Sequence, residues 1–427
     1  MLSFYFLCVL LQSAAMLNMF TMLLAGGKGE RLQPLTEHRA KPAVPFGGKY
    51  RIIDFTLSNC LNSGLRKVAV LIQYKSHSLD RHIRTGWNIL NAELGEYIAS
   101  LPPQQRINEE WYQGTADAVY QNLFLLDSEQ PEYVLILAGD HIYKMDYTEM
   151  LHALVAKGAD AVVGAIDVPI EEAHRFGVIH VDEDLRITDF IEKPAHPPSI
   201  PNDPTHAFGS MGIYLFRADV LREQLIADAQ EGGKHDFGRN IIPRMIRDQR
   251  VYAFNFIDAN KKSVKYWRDI GTLDAYWEAN MDLVTVDPLF NFYDQQWPIR
   301  TYQGQFPPAK FVFSQDYQGG RMGVALDSIV CGGCIISGGR VQNSVLSPNV
   351  RVQDHADVRE SVVMENVVIG AQSRIRRAII DKDVIIPPQT EIGYNQEADA
   401  QRFTVTESGL VVISKGMKLH APLDSSG

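Results

Sequence analysis

Apolar residues recur every six positions in the C-terminal part of the chain, and few folds accommodate such a period. Three series share this spacing: Val350, Ala356, Val362 and Val368; Val363, Ile369 and Ile375; and Ile380, Ile386 and Ile392. Glycine, asparagine, serine and aspartate are interspersed among them. This pattern is typical of hexapeptide coils stacked into a parallel β-helix, and the shifts between series indicate imperfect coils. Such a prism offers a long flat side for association.

The N-terminal part of the chain has a different pattern, in which an apolar run is followed by a glycine cluster. Residues 22–25 are apolar, and Gly26, Gly27 and Gly29 follow directly. Such a run is typical of a buried strand that feeds a tight turn. From Ile53 to Leu65 apolar residues recur every four positions, which predicts a helix. The order is that of an α/β fold.

The glycine-rich loop suits a phosphate group. Glycines let backbone N–H groups approach an anion, and Lys28, Arg31 and Lys41 are near enough in sequence to neutralise its charge. The loop has neither the Gly-Lys-Ser/Thr ending of a Walker A site nor the dinucleotide fingerprint. Taken alone, it is therefore as compatible with an ordinary strand-end turn as with a nucleotide site.

Two further apolar runs end in polar residues. Residues 68–72 precede Gln73, and residues 133–138 precede Asp140. Strands without polar alternation are typical of a parallel sheet, which binds ligands at the carboxyl ends of its strands. Gln73 is thus a candidate for a nucleotide base, although a polar turn residue fits equally. Asp140 is a candidate metal ligand, although a lone aspartate there also caps helices.

Longer motifs resemble the sugar-1-phosphate nucleotidyltransferases. The resemblance rests on Leu24-Ala25-Gly26-Gly27-x-Gly29-x-Arg31-Leu32, Lys41-Pro42-Ala43-Val44-Pro45 and Arg51-Ile52-Ile53-Asp54-Phe55. Within that family, Phe46-Gly47-Gly48-Lys49-Tyr50 makes the chain most similar to the bacterial glucose-1-phosphate adenylyltransferases. The resemblance implies a Rossmann-like α/β domain with a mostly parallel sheet, followed by a left-handed parallel β-helix.

The resemblance also implies a reaction and its partners. ATP and glucose 1-phosphate would give ADP-glucose and diphosphate, with Mg²⁺ as cofactor, for glycogen biosynthesis in a cytoplasmic homotetramer. Two alternatives remain open: a transferase that uses UTP, dTTP or GTP, and a catalytically silent regulatory subunit. The presence of Arg31, Asp140, Lys193 and Asp269 argues against the silent subunit.

Site residues follow from the same resemblance. Catalysis is expected from Arg31, Lys41 and Asp140; metal binding from Asp140 and Asp269; nucleotide binding from Ala25, Gly26, Gly27, Gly29, Gln73, Gly114 and Thr115; and glucose 1-phosphate binding from Tyr112, Gly177, Glu192, Lys193 and Ser210. Lys193 suits a sugar phosphate and Glu192 suits sugar hydroxyls, although composition alone favours a surface ion pair before proline, by roughly two to one. At Gly114 and Thr115, a helix N-terminus would suit a base edge or a phosphate, and a helix cap is the alternative.

Arg39, Arg51, Arg376 and Arg377 are candidates for a phosphorylated effector, with solvated surface as the alternative. Members controlled by fructose 1,6-bisphosphate and AMP usually carry lysine and histidine where this chain has His38 and Pro45. The loss of lysine at position 38, together with residues 419–424 in place of a basic C-terminal tail, argues against activation by fructose 1,6-bisphosphate.

Length and charge set the outer limits. A chain of 427 residues suggests two domains, which we place at 20–295 and 323–427 with a proline-rich linker at 296–322. A net charge of −10 argues against a nucleic-acid partner, and four cysteines fit a reducing compartment. Residues 1–19 form an apolar extension, too short to span a membrane, that we interpret as an upstream start or a segment packed on the fold.

Overall fold

The computed structural model describes residues 18–104, 111–201, 203–260 and 265–419. The expected N-terminal extension therefore lies outside the described residues as far as position 17, and the last eight residues also lie outside them. Met19 already belongs to the first strand. In the described part of the chain, no helix is both long and apolar enough to cross a membrane.

The N-terminal part alternates strands and helices. Its strands are β1 (Met19–Ala25), β2 (Pro45–Phe46), β3 (Tyr50–Arg51), β4 (Lys67–Ile72), β5 (Tyr97–Leu101), β6 (Tyr133–Ala138), β7 (His141–Tyr143), β8 (Ala161–Pro169), β9 (Gly177–Val181), β10 (Ile187–Glu192), β11 (His206–Arg217), β12 (Val251–Asn255) and β13 (Trp267–Asp269). Its helices are α1 (Ile52–Asn62), α2 (His77–Gly86), α3 (Thr115–Tyr120), α4 (Phe124–Glu129), α5 (Thr148–Lys157), α6 (Ala218–Gln230), α7 (Ile242–Asp248) and α8 (Leu273–Asp282).

One sheet forms the centre of this domain. Strands β5, β4, β1 and β6 lie side by side and run parallel, with Leu23 of β1 opposite both Val70 and Leu137. Strand β11 then runs antiparallel to β6, β8 and β9, and β10 pairs with β9. The predicted Rossmann-like domain with a mostly parallel sheet is confirmed.

Both faces of this sheet are covered, which explains its uninterrupted apolar strands. Leu23 packs in a cluster with Ile53 of α1 and Met150 of α5. Its neighbour Met22 faces the other side and packs with Val119 of α3 and residues of α6. Since successive side chains of a strand point to opposite faces, the apolar residues of β1 need apolar partners on both sides of the sheet.

The C-terminal part is a parallel β-helix of three long sheets. Its strands are β14 (Lys310–Val312), β15 (Val324–Leu326), β16 (Ile329–Val330), β17 (Ile335–Ser337), β18 (Arg340–Gln342), β19 (Val345–Leu346), β20 (Arg351–Val352), β21 (Asp357–Arg359), β22 (Val362–Val363), β23 (Val368–Ile369), β24 (Arg374–Arg376), β25 (Ala378–Ile380), β26 (Ile385–Ile386), β27 (Glu391–Ile392), β28 (Thr404–Val405) and β29 (Val411–Ile413), with α9 (Gln396–Ala400) after β27. Because β14 pairs with β17, the β-helix begins inside the segment 296–322 that we expected to be linker.

The imperfect period has a simple geometric basis. Buried residues point into the β-helix at Leu346, Val352, Val358, Val363, Ile369, Ile375, Ile380, Ile386 and Ile392, in steps of six, six and five residues. One coil is therefore 17 residues long, as the pairing of Val363 with Ile380 shows. The first predicted series was wrong in part. Val363 faces the inside of the β-helix, so its neighbour Val362 points outward and packs against the other domain.

The two domains share a core. Val362, Ile379 and Val412 of the β-helix pack in one cluster with residues of α8 such as Tyr276. Trp277 of α8 also donates its indole N–H to the carbonyl oxygen of Glu360 at 2.8 Å. Helix α8 begins four residues after Asp269. The helix that contacts the β-helix therefore starts next to that aspartate in the chain.

Candidate active site

A cleft of about 1490 Å³ opens at the carboxyl edge of the central sheet. Ala25 ends β1, Gln73 follows β4 and Asp140 follows β6, and all three line the cleft. The parallel order of these strands brings the three positions to one edge, as the apolar runs in the sequence predicted. Gly177, Glu192, Lys193 and Ser210 line another part of the same cleft.

The glycine-rich loop divides into two roles. Gly26 and Gly27 line the cleft, whereas Gly29 does not. Gly29 has a φ of 65° at the start of a 3-10 helix (Glu30–Leu32), and its carbonyl oxygen accepts a hydrogen bond from Thr36 Oγ1 at 2.8 Å. A positive φ is readily adopted by glycine, so Gly29 shapes the turn from outside the cleft.

Gln73 lies directly against this loop. A Cβ atom added at Gly26 would come within 3.2 Å of the Cβ of Gln73. The side chain is buried, yet its Nε2 has no hydrogen-bond partner among the described residues. A buried donor without an acceptor is costly, so an acceptor on a ligand would stabilise this position.

The turn at Gly114 and Thr115 forms hydrogen bonds within the protein. The N–H groups of Ala116 and Asp117, in the first turn of α3, donate to the carbonyl oxygen of His235 at 2.8 and 3.2 Å. Thr115 Oγ1 donates to Asp236 at 2.8 Å. These groups are therefore already engaged within the protein, as the alternative of a helix cap predicts, and the nucleotide-binding role of Gly114 and Thr115 stays a prediction. Gly114 and Thr115 still line the cleft.

Two carboxylates and a lysine meet in the cleft. Lys41 Nζ lies 2.7 Å from Asp140 Oδ2 and 3.1 Å from Asp269 Oδ1. Strand β13 pairs with β7 so that Asp269 stands opposite His141, which brings the two distant aspartates together. Burial alone would raise the pKa of Asp140, but Lys41 and His141 outweigh it and hold that pKa well below its usual range.

The lysine responds in the complementary direction. Burial would lower the pKa of Lys41, but the charges of Asp140 and Asp269 raise it above the ordinary value. The ammonium is thus held charged between two carboxylates. Arg31 lies close by, since a Cβ at Gly271 would come within 3.4 Å of its guanidinium.

The donor atoms fit a divalent cation. Asp140, His141 and Asp269 each offer a ligand atom, and these atoms lie within 4.8 Å of one another. Carboxylate oxygens are the ligands that hard cations such as Mg²⁺ prefer. His141 adds a buried Nδ1 with no hydrogen-bond partner among the described residues, and its ring lies 4.8 Å from that of Trp267.

Sequence reasoning missed His141 and Trp267 as cleft residues. His141 directly follows Asp140, and Trp267 belongs to the Trp-Arg-Asp run that ends in Asp269. Their positions depend on the antiparallel pairing of β7 with β13, two three-residue strands that are far apart in sequence. No periodicity signals a contact between such short strands.

The predicted sugar residues lie together on antiparallel strands. Gly177 of β9 stands opposite Glu192 of β10, and Lys193 follows directly. A Cβ at Gly177 would meet the Phe190 ring at 2.8 Å and Glu192 Oε2 at 3.0 Å, so a larger residue would push both side chains away. Lys193 Nζ is 3.8 Å from Glu192 Oε1 and its side chain is 57% exposed, which leaves the ammonium accessible from the cleft.

Ser210 and Tyr112 complete this group. Strand β11 bulges between Ser210 and Tyr214, and the Ser210 hydroxyl accepts a hydrogen bond from the Gly212 N–H at 3.3 Å. The Tyr112 hydroxyl accepts a hydrogen bond from Asn122 at 2.9 Å, and burial raises the pKa of Tyr112.

Lys265 also lines the cleft, where its Nζ donates hydrogen bonds to Asp167 and Asn255.

The four arginines considered for an effector differ in their surroundings. Arg39 is buried and makes two hydrogen bonds of 2.8 Å to the carboxylate of Asp381 in the β-helix, so solvated surface is the wrong description for it. Arg51 donates to Ser78 at 2.9 Å. Arg376 is exposed beside Glu360 at 3.4 Å, and the guanidinium of Arg377 lies over the Trp277 ring at 4.6 Å.

Comparison with known proteins agrees with both domains. A family model described as nucleotidyl transferase matches residues 20–286, and one described as GlmU-like, C-terminal hexapeptide matches residues 307–413. The fold and the site thus define a nucleotidyltransferase with a hexapeptide β-helix.

Relatives identify a narrower group. Glucose-1-phosphate adenylyltransferase of Rhodopirellula baltica is 56% identical over 95% of this chain and 92% of that protein. The protein of the same name from Koribacter versatilis is 55% identical over 95% of this chain and 97% of that protein. Glucose-1-phosphate adenylyltransferase 2 of Vibrio parahaemolyticus is 54% identical over 93% of this chain and 98% of that protein. The chain belongs to the glucose-1-phosphate adenylyltransferase family.

Proposed function

We propose that the protein transfers the adenylyl group of ATP to glucose 1-phosphate, giving ADP-glucose and diphosphate. The observation that carries the proposal is the meeting of Lys41, Asp140 and Asp269 in a cleft that also contains the glycine-rich loop and the group around Lys193. A transferase needs this arrangement, because two anionic substrates must approach each other. The choice of ATP and glucose is supported by the names of the relatives.

The reaction requires no covalent intermediate on the protein. A phosphate oxygen of glucose 1-phosphate attacks the α-phosphorus of ATP, and the bond from that phosphorus to the oxygen bridging to the β-phosphorus breaks. Diphosphate leaves with the electron pair. The task of the protein is therefore positioning and charge neutralisation.

Each group in the cleft has a task in this scheme. Lys193 holds the phosphate of the sugar, and Glu192 accepts hydrogen bonds from sugar hydroxyls. Arg31 and Lys41 stabilise the charge that gathers on the departing diphosphate. Gln73 offers its unpaired Nε2–H to the base.

Asp140 and Asp269 would hold the cation, which we propose to be Mg²⁺. A bound divalent cation supplies charge neutralisation between phosphate oxygens. Asp140 is suited to this role because its depressed pKa keeps it ionised throughout the physiological range.

Diphosphate release from ATP, UTP, dTTP and GTP, each with glucose 1-phosphate and Mg²⁺, tests the proposal. ATP-selective turnover is the expected result. Preference for another nucleotide would retain the transferase but overturn the adenylyl assignment. Absence of turnover with all four would favour a silent regulatory subunit.

The setting of the enzyme is part of the proposal. We propose a cytoplasmic homotetramer that supplies ADP-glucose for glycogen biosynthesis and binds a phosphorylated effector at the cluster formed by Arg39, Arg51, Arg376 and Arg377. Because Arg39 is paired with Asp381, an anion there would compete with that carboxylate. Addition of fructose 1,6-bisphosphate to the ATP assay tests this control, and sedimentation velocity tests the tetramer.

A further inference from the structure

The ammonium of Lys41 stands between the same two carboxylates that would hold the cation. It is within hydrogen-bond distance of one oxygen of Asp140 and one of Asp269, and its side chain is only 10% exposed. A Mg²⁺ ion binds carboxylate oxygens at about 2.0–2.1 Å, closer than either of these contacts. A cation in that position and the ammonium in its present one would repel each other strongly at short range.

The backbone of Lys41 is held in a turn, so we assign the movement of the ammonium to the side chain. Lys41 begins a 3-10 helix (Lys41–Ala43), and its carbonyl oxygen accepts the Val44 N–H at 3.1 Å. Its Cβ lies close to Gly29, where an added Cβ would come within 3.1 Å. Rotation about the side-chain bonds is therefore the motion available to the ammonium.

A second set of anionic partners for Lys41 arrives with the nucleotide. Lys41 lines the cleft together with Gly26, Gly27 and Arg31, the groups to which we assign the phosphates. An ammonium that moves from carboxylate to phosphate oxygens keeps its charge neutralised. The two carboxylates then lose their counter-charge and become stronger ligands for a cation.

We propose that Lys41 closes the cation site of the free enzyme and opens it when nucleotide phosphates draw the ammonium away, so that a divalent cation binds tightly only together with the nucleotide. The coupling is reciprocal, since a cation held by the aspartates would in turn strengthen nucleotide binding. The inference rests on the proposed function, because it assigns the phosphates to the cleft beside Lys41.

Binding of Mn²⁺ to the full-length protein without nucleotide or sugar tests the first half. Free Mn²⁺ is followed by its electron paramagnetic resonance signal in wild type and in Lys41→Met, which removes the ammonium but keeps much of the side-chain bulk. We expect Lys41→Met to bind Mn²⁺ at least about tenfold more tightly, a factor equivalent to 1.4 kcal/mol. Equal or weaker binding by this variant would overturn the proposal.

Two controls locate the effect. Lys193→Met removes the other lysine that we place beside the substrates. Because Lys193 is not paired with Asp140 or Asp269, the Mn²⁺ affinity of this variant should stay within about twofold of wild type. Lys41→Met combined with Asp269→Asn should lose the tighter binding. An equal gain in Lys193→Met, or a gain that persists in the double variant, would contradict the assigned geometry. Lys41→Gln replaces Lys41→Met if circular dichroism shows that the latter does not fold.

Saturating α,β-methylene-ATP tests the second half. We expect the affinity difference between wild type and Lys41→Met to shrink, because the phosphates remove the ammonium from the site in wild type. An unchanged difference would overturn the exchange of partners. The nucleotide-free titration does not depend on turnover, so an inactive protein would refute the proposed function without deciding this inference.

Discussion

Individual residues of the cleft divide into those that bind substrates and those that act on the reacting phosphates. Lys193 is 57% exposed and makes only a loose contact to Glu192, so its charge is available to a sugar phosphate. Asp140 is tied to Lys41 and lies in the group that would hold a cation. This difference leads to distinct expectations for the two side chains.

Asp140→Asn should lower kcat by about a hundredfold or more, because electrostatic stabilisation of the transition state commonly has this magnitude. The KM values for ATP and glucose 1-phosphate should change much less. Steady-state kinetics of both substrates measure the split. A variant whose KM values rise while kcat is retained would contradict the role given to Asp140.

Lys193→Ala should mainly raise the KM for glucose 1-phosphate, by about tenfold to a hundredfold, the range for loss of a charge-assisted hydrogen bond. The KM for ATP should be nearly unchanged. Lys265→Ala is a useful comparison, because that lysine also lines the cleft but is already bound to Asp167 and Asn255. A similar rise in the KM for ATP in Lys193→Ala would argue against a sugar-phosphate role.

Removal of the divalent cation should abolish turnover without loosening the fold. In the cation's absence, Lys41 already bridges Asp140 and Asp269, so no pair of unpaired carboxylates is left behind. Excess EDTA should therefore stop diphosphate release while Tm changes by no more than about one degree, an estimate based on a stability change well under 1 kcal/mol. A large fall in Tm would indicate a structural metal elsewhere.

At the scale of elements, the sequence predicted what depends on periodicity and chain order. The apolar runs before Gln73 and Asp140 became parallel strands whose ends meet at one edge. The inward series of the β-helix followed from its spacing, although the five-residue step appeared only as a change of register. Contacts that the sequence did not reveal are those between distant short segments, such as β7 with β13 and His235 with the start of α3.

Two adjacent residues of β26 test the inward assignment. Ile386 is 1% exposed and Ile385 is 65% exposed, although they are neighbours in one strand. Ile386→Ala should lower the free energy of unfolding by about 2–5 kcal/mol, because it leaves a cavity. Ile385→Ala should change it by less than about 0.5 kcal/mol. Chemical denaturation followed by circular dichroism compares them, and equal effects would contradict the register of the coil.

At the scale of the whole molecule, α8 and the buried pair of Arg39 with Asp381 join the domains. The Arg39 and Asp381 side chains are 6% and 1% exposed, so removal of one partner leaves a buried charge uncompensated. The shared core around Tyr276 and Val362 adds apolar contacts next to this pair. We therefore expect the catalytic domain and the β-helix to depend on each other for stability.

Arg39→Ala should lower the free energy of unfolding by about 3–5 kcal/mol, the cost typical of breaking a buried ion pair. Arg376→Ala is the matched control, because Arg376 is exposed beside Glu360, and it should cost less than about 1 kcal/mol. Denaturant titrations measure both variants. Equal, small effects would show that the interdomain pair contributes little.

The most direct test of the central claim is the identification of the sugar product formed from ATP and glucose 1-phosphate by the purified protein. Mass spectrometry should detect ADP-glucose in equal amount to the diphosphate released, and Asp140→Asn should form ADP-glucose at a rate lower by about a hundredfold or more. Diphosphate without ADP-glucose, or undiminished ADP-glucose formation by Asp140→Asn, would contradict an adenylyl transfer in this cleft.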